Sequence, residues 1–296
     1  MNNLETDEFG QMDLDSPKKD ASSRAAKFLR LTFLLTIPIW IFAQVTKHLI
    51  PEGLPINHLG FLAVFIPATS ALILTIRETG LDGAKILLHR AYDWTRITRK
   101  IWYLPIVALL PVVYASTLVL LVLIGEPIPA LSIPVLPVLV LFPFFILFAI
   151  GEEVGWMGYA YDLMETRWNA ISIAFLLGLI GAVWHFPLFL IQNPPGGMMW
   201  IAGQCVNIVL IRILSVWIYK NTGSSVFALI LFHAIYNVCT MVLPVYVSPL
   251  GPIIGNIFLF AIVIGVLLHW NSRTLSTDRL EEEEDSELEL VIAVRG

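Results

Sequence analysis

Apolar residues along the chain form long continuous runs rather than short segments that alternate with polar residues. Eight runs are long enough to cross about 30 Å of hydrocarbon as α-helices, whereas a membrane β-barrel alternates over segments of about ten residues. The pattern therefore predicts an all-α, polytopic membrane protein with eight transmembrane helices. The runs lie near residues 29–46, 59–76, 102–125, 138–160, 170–191, 198–219, 224–246 and 251–270.

The composition agrees with a membrane protein and argues against a soluble one. Hydrophobic residues make up 57% of the 296 residues and charged residues 14%, whereas soluble domains carry about 25% charged residues. The formal net charge of −5 combines −4 in residues 1–22, −6 in residues 274–296 and +5 in the remainder. No basic stripe on a soluble face is present, so nucleic acid is not an expected partner.

The positions of lysine and arginine predict the orientation in the membrane. Basic residues precede the first run and follow the second, fourth, sixth and eighth, while the opposite loops contain only Lys47. Because cytoplasmic loops carry the excess of basic residues, both termini are predicted to be cytoplasmic. We expect a multi-pass protein that is embedded in the lipid bilayer of a cell membrane. The expected membrane is the bacterial inner membrane. No feature of the sequence indicates an oligomeric state.

Three regions follow from this topology. Residues 1–24 are predicted to form a disordered cytoplasmic tail, residues 25–272 an eight-helix membrane domain, and residues 273–296 an acidic cytoplasmic tail. Between Arg77 and Lys100, apolar and basic residues interleave. This pattern favours an amphipathic helix at the membrane surface that is anchored to anionic headgroups.

Ionisable residues inside membrane spans are costly and indicate function. Glu152 and Glu153 lie in the fourth run, His185 in the fifth, Arg212 in the sixth and His233 in the seventh. At 1.5 Å of helix rise per residue, Glu152 and His233 are each roughly 15 Å from the cytoplasmic end of their runs and His185 roughly 24 Å. We expect the acids and imidazoles to meet in one cavity that opens toward the cytoplasm.

The spacing within the runs adds local geometry. His233 and Asn237 are four residues apart and share one helical face. Glu152 and Glu153 are adjacent, about 100° apart around a helix, so one is expected to face the reacting centre and the other a neighbouring helix. Hydrogen bonding between helices is the alternative role of a polar residue in a span. It is the preferred role for Gln204, Asn207, Thr69 and Ser70.

Three short motifs on separate runs resemble those of the CAAX prenyl endopeptidase and bacteriocin-processing family of intramembrane proteases, also called the CPBP or Abi family. Glu152-Glu153-Val-Gly-Trp-Met157 is similar to the family motif Glu-Glu-x-x-x-Arg. Gly181-Ala-Val-Trp-His185 is similar to Phe-x-x-x-His, and His233-Ala-Ile-Tyr-Asn237 to His-x-x-x-Asn. The resemblance covers roughly residues 100–245 by motif.

Two positions depart from the family pattern. Met157 stands where the family usually has arginine, and Gly181 where it usually has phenylalanine. The motif arginine would be placed for an ion pair with Glu153, four residues earlier. Arg212 lies near the same depth in the sixth run, and our hypothesis is that it replaces the missing arginine.

The resemblance implies hydrolysis of a peptide bond in the membrane without a covalent enzyme intermediate. Glu152 would be the general base that activates water and His185 would help to position that water. His233 and Asn237 would stabilise the oxyanion, and Glu153 would support the site. The implied substrate is a membrane-embedded peptide or protein, with prenylated C-terminal peptides and leader peptides among the candidates.

A metal centre is an alternative use of the same side chains. Glu152, His185 and His233 could hold a divalent cation, with zinc the ordinary choice for histidine and carboxylate ligands. The short zinc motif His-Glu-x-x-His is absent from the sequence. Metal dependence is therefore left open by the residues.

Two further function classes are also open. The substitution of Met157 for the motif arginine is compatible with a catalytically inactive family member that acts as a binding or scaffold protein. The membrane acids and histidines are compatible with a proton-coupled transporter. The runs show no inverted repeat of polar residues, which is the usual mark of secondary transporters, so the hydrolase is the favoured function.

Overall fold

The computed structural model describes residues 16–46, 59–131, 135–192, 196–271 and 273–276. All regular structure in these ranges is helical, in agreement with the predicted all-α class. The nine α-helices of these ranges are α1 Ser16–Thr46, α2 Ile66–His89, α3 Tyr103–Leu123, α4 Val135–Gly155, α5 Asp162–Glu165, α6 Ala170–Gln192, α7 Gly197–Asn221, α8 Val226–Val242 and α9 Gly251–His269.

Eight of these helices lie where the apolar runs predict them. Seven helical segments of the described ranges have at least 18 residues and are apolar enough to cross a membrane. The helix in the seventh run, α8, is apolar but has 17 residues, about 25 Å at 1.5 Å per residue. The count of eight crossings and the cytoplasmic position of both termini stay predictions.

The ends of the membrane domain differ from the predicted boundaries. Helix α1 begins at Ser16, so the predicted limit of the N-terminal tail at residue 24 lies inside a helix. At the other end, the Leu275 carbonyl accepts a hydrogen bond from the Asn221 side chain at 2.6 Å, and Leu275 is fully buried. Residues 273–276 therefore pack on the helices. The rest of both predicted tails, 1–15 and 277–296, lies outside the described residues.

Close contact between α4 and the chain at residues 64–67, where α2 begins, depends on two glycines. A Cβ atom at Gly151 would lie 2.6 Å from the Val64 carbonyl oxygen, and one at Gly155 would lie 2.4 Å from the Pro67 carbonyl carbon. Small residues four apart allow two membrane helices to approach at backbone distance. Gly151 and Gly155 form such a pair. Helix α4 also packs along α8, and α6 packs along α7.

Helix α2 is broken near its end. Gly80 has φ 75° and ψ −169°, a left-handed region that disfavours a residue with a Cβ atom. Beyond it, the chain is helical as far as His89, where the sequence predicted an amphipathic surface helix. Leu81 and Ile86 are 67% and 69% exposed on this segment, as expected for apolar side chains that enter a lipid surface.

Candidate active site

The five motif residues lie on three helices that surround one cavity. Glu152 and Glu153 are in the last turn of α4, which packs against α8. His185 is on α6, and His233 and Asn237 are one turn apart on α8. All five line a cavity of about 490 Å³. The structure therefore brings together every motif residue that the sequence singled out.

Glu153 is paired on both sides. Arg212 Nη1 on α7 lies 2.7 Å from Glu153 Oε2, and His233 Nδ1 lies 2.9 Å from Glu153 Oε1. The side chains of Glu153 and Arg212 are 4% and 11% exposed. The contact required by the hypothesis that Arg212 replaces the motif arginine is therefore present. The pair satisfies a buried charge that would otherwise be costly.

Met157 itself has no charge with which to pair Glu153. It is fully buried in a π-helical turn, Trp156–Tyr161, that directly follows α4. A π-helical turn changes the register of the residues beyond the carboxylates. Arg212 reaches Glu153 from α7 and lines the same cavity.

Glu152 faces His185 on α6. Its Oε2 atom lies 4.0 Å from His185 Nε2, and no described residue donates a hydrogen bond to its carboxylate. The side chain is 6% exposed. Glu153 is thus directed to α7 and α8 while Glu152 faces α6, as expected for adjacent residues about 100° apart around a helix.

The hydrogen bonds of the two imidazoles fix which nitrogen faces the cavity. His185 Nδ1 lies 2.8 Å from the Gly181 carbonyl oxygen, so this nitrogen donates its proton. In the neutral ring, Nε2 then presents a lone pair toward Glu152. His233 Nδ1 donates to Glu153 in the same manner. A Cβ atom at Gly181 would lie 3.3 Å from Ile208 Cγ2, so phenylalanine there would require Ile208 to move.

Asn237 supplies an unused hydrogen-bond donor. Its side chain lines the cavity one helical turn from His233, and no described residue forms a hydrogen bond with its amide. A free amide next to an imidazole is a suitable donor pair for developing negative charge on an oxygen. The cavity thus contains a carboxylate, a histidine lone pair and an amide donor.

Several cavity residues were missed by the sequence reasoning. Tyr236 lies three residues after His233 and therefore on the same face, which is a signal that was present in the sequence. Phe145 and Phe148 precede Glu152 by seven and four residues and share its face. These aromatic rings, with Leu188, Phe189 and Met241, give the cavity an apolar wall.

The predicted metal ligands Glu152, His185 and His233 all line the cavity. In the described ranges, no group of three His, Cys, Asp or Glu side chains is placed to bind a metal ion. Two ligands of a tetrahedral zinc ion lie about 3.4 Å apart, whereas Glu152 and His185 are separated by 4.0 Å. The predicted divalent cation stays a prediction, and the chemistry below takes no step through it.

A buried polar network lies behind the cavity. Asn207 on α7 accepts hydrogen bonds from Tyr114 and Tyr236, each at 3.4 Å, and donates one to Asn256 at 3.1 Å. These bonds connect α3, α7, α8 and α9. The cross-helix role predicted for Asn207 is confirmed. Tyr236 thereby joins the network to the cavity wall.

Comparison with known proteins agrees with the geometry. Residues 134–239 match the family model described as type II CAAX prenyl endopeptidase Rce1-like, a segment that contains all five motif residues. The chain is also 28% identical to CAAX prenyl protease 2 of Methanococcus maripaludis, across 60% of this chain and 68% of that protein. Both findings support the CPBP/CAAX protease family and a protease-like enzyme. They do not favour the scaffold or transporter alternatives.

Proposed function

We propose that this protein is an intramembrane endopeptidase that hydrolyses a peptide bond of a membrane-associated peptide or protein with water activated by Glu152 and His185. The observation that carries the proposal is the arrangement of these two side chains. A buried carboxylate without a hydrogen-bond donor among the described residues faces an imidazole nitrogen across 4.0 Å in a cavity. The multi-pass helices and the family comparison support a cell membrane as the location, and the bacterial inner membrane stays our prediction.

A water molecule fits between the two groups. Hydrogen bonds of about 2.8 Å from one water to each acceptor span a separation near 4 Å. Such a water donates one proton toward Glu152 and the other toward His185 Nε2, which leaves an oxygen lone pair free for attack. Glu152 accepts the proton as the oxygen adds to the substrate carbonyl. The same carboxyl group then returns this proton to the leaving amine when the carbon–nitrogen bond breaks.

The opposite wall of the cavity would stabilise the oxyanion. The Asn237 amide has no other partner among the described residues, and His233 lies one turn away. Loss of one such donor typically costs about 2.7–4 kcal/mol of barrier. Donation from His233 Nε2 requires a ring that carries both protons, and the Glu153 carboxylate at 2.9 Å would balance its charge.

The pairing of Glu153 keeps the two carboxylates chemically distinct. Arg212 and His233 each donate a hydrogen bond to one oxygen of Glu153, so neither oxygen is free to accept a proton from water. Glu152 has no such partners in the described part of the chain and is the carboxylate that can cycle a proton. Adjacent residues of the same type thus take the roles of base and support.

The apolar wall indicates the kind of substrate. Phenylalanine, leucine and methionine side chains line one side of a cavity whose volume, about 490 Å³, is within the usual range for small-ligand sites. An extended peptide segment with an apolar residue or a prenyl group fits this lining. Because the relative is a CAAX prenyl protease, a farnesylated peptide is the first substrate to test.

The test is cleavage of a fluorogenic peptide by the full chain in detergent. Farnesylated and unmodified forms of one peptide are compared for wild type, Glu152→Gln and Glu165→Gln. Glu152→Gln is expected to lower kcat at least 100-fold, because it keeps the shape but removes the base. Glu165 is exposed on α5 and pairs with Lys220, so its change is the matched control and should leave kcat within about twofold. Equal rates in Glu152→Gln and wild type would refute the proposal.

A further inference from the structure

Helix α4 is anchored in the bundle mainly by its C-terminal part. Across residues 135–148 no residue is buried, and seven large apolar side chains are exposed. Across residues 151–161, in contrast, every residue is buried. The position of Glu152 and Glu153 in the active site therefore depends on what holds this buried part of the chain.

The π-helical turn Trp156–Tyr161, which closely follows the two carboxylates, is bound to the end of α2. Single π-helical turns are rare and occur frequently at functional sites. Here the Tyr159 hydroxyl donates to Glu78 at 2.9 Å, just before the break in α2. Beyond that break, Arg90 Nη1 donates to the Gly158 carbonyl oxygen at 2.7 Å. Residues on both sides of the break thus hold the turn.

Arg90 makes the larger set of contacts. Its Nη1 atom also lies 2.6 Å from Asp162 Oδ2 in α5, and its Nη2 atom donates to the Tyr219 hydroxyl in α7. That hydroxyl in turn donates to Asp162 Oδ1 at 2.8 Å. The Arg90 side chain is only 15% exposed. Because a guanidinium is a rigid planar donor, these contacts fix the π-helical turn relative to α7, the helix that carries Arg212.

We propose that Arg90 is a positioning residue for the catalytic carboxylates. It does not line the active-site cavity and acts through the Gly158 carbonyl, five residues after Glu153. Loss of this anchor allows the end of α4 to move, and a displacement of about 1 Å at reacting groups can lower a rate about 100-fold. The inference rests on the proposed hydrolase function.

Cleavage of the fluorogenic peptide well below Tm tests this role, with each rate divided by the folded fraction of the sample. Arg90→Gln is expected to lower kcat about tenfold and to leave KM within about twofold, because the carboxylates move while the cavity wall stays in place. Arg90→Lys keeps a positive charge near Asp162 but lacks the planar fork. Its kcat should therefore lie between those of wild type and Arg90→Gln.

Arg96→Gln is the matched control. Arg96 Nη1 donates to the Gly223 carbonyl oxygen and its Nε to Asp93, each at 3.1 Å. It also joins a backbone carbonyl to an aspartate, but in the turn before α8 rather than the turn after α4. This variant should leave kcat within about twofold. If Arg90→Gln does not fold, Tyr219→Phe removes one acceptor of Arg90 without removing a charge, and kcat should fall severalfold.

Hydrogen exchange in the full chain gives a second readout that does not depend on hydrolysis. Backbone amides of the π-helical turn are expected to exchange about fivefold faster in Arg90→Gln than in wild type, since local opening of the turn becomes easier. Arg96→Gln should leave their exchange unchanged. Equal exchange in wild type and Arg90→Gln would show that Arg90 does not restrain the turn.

The kinetic outcomes separate this inference from the proposed function. A wild-type protein that cleaves no peptide would refute the proposed function itself. Cleavage by wild type with an equal kcat in Arg90→Gln would overturn the positioning role alone, whatever the exchange result. An equal loss of kcat in Arg96→Gln would overturn it as well, because the effect would not be specific to the π-helical turn.

Discussion

The Glu153 carboxylate is buried between Arg212 at 2.7 Å and His233 at 2.9 Å. We predict that Arg212→Gln lowers the free energy of unfolding by about 3–5 kcal/mol, because it leaves a buried carboxylate without its cation. The double variant Glu153→Gln/Arg212→Gln removes both charges and should recover part of that loss. Thermal unfolding in detergent measures both. The prediction is contradicted if Arg212→Gln is as stable as wild type, or if the double variant is less stable than Arg212→Gln.

Metal dependence is decided by removing metal. The proposed mechanism uses only side chains and water, so dialysis against a chelator is expected to leave kcat for the fluorogenic peptide within about twofold. A loss of activity that zinc restores, and that magnesium does not, would instead support the divalent cation predicted at Glu152, His185 and His233. Prior addition of zinc to an untreated sample is the control for inhibition by excess metal.

The sequence predicted some residues of the active site and missed others. Four of the five motif residues were found because ionisable groups stand out in apolar runs, where each is energetically costly. Asn237 was found by its spacing of four residues from His233. The partner of Glu153 was a hypothesis based on depth alone, and the structure places Arg212 within 2.7 Å of it. Tyr236 and the phenylalanine wall were missed because aromatic residues in a membrane span resemble ordinary lipid-facing or core side chains.

Helix packing supplies the next prediction. A Cβ atom at Gly155 would lie 2.4 Å from the backbone of Pro67, where neither atom can move without shifting a helix. We predict that Gly155→Ala destabilises the protein by about 1–3 kcal/mol and also lowers kcat, since Glu152 and Glu153 are within one turn. Gly265→Ala on α9 is the matched control, because nothing lies within 4 Å of its added methyl group. Equal Tm values for the two variants would contradict the close contact of α4 and α2.

Positions of the helices followed from the apolar runs, but irregular backbone did not. The runs predict where a chain crosses hydrocarbon because each crossing needs about 20 apolar residues. They carry no information on hydrogen-bond register, so the π-helical turn Trp156–Tyr161 was not predicted. Helix α8 illustrates the same limit, since the run near 224–246 contains a 17-residue helix and a short 3₁₀ turn, Pro244–Val247.

The arrangement of helices around the active-site cavity was not available from the sequence. Depth along each run indicated that acids and imidazoles share a level, but distances between helices depend on packing of all the helices together. Helix α4 illustrates this, because Glu152 and Glu153 face partners on three other helices, α6, α7 and α8.

Orientation of the bundle in the membrane is the prediction that concerns the entire chain. Cys205 and Cys239 are first replaced by alanine. A single cysteine is then introduced by Leu131→Cys, in the loop before α4, or by Trp168→Cys, in the loop before α6, both at exposed positions. Basic residues flank the end near Trp168. We therefore expect a membrane-impermeant maleimide to label the Leu131→Cys variant in right-side-out vesicles, and to label the Trp168→Cys variant only after permeabilisation. The cysteine-free protein is the control. The reverse pattern would place the termini outside.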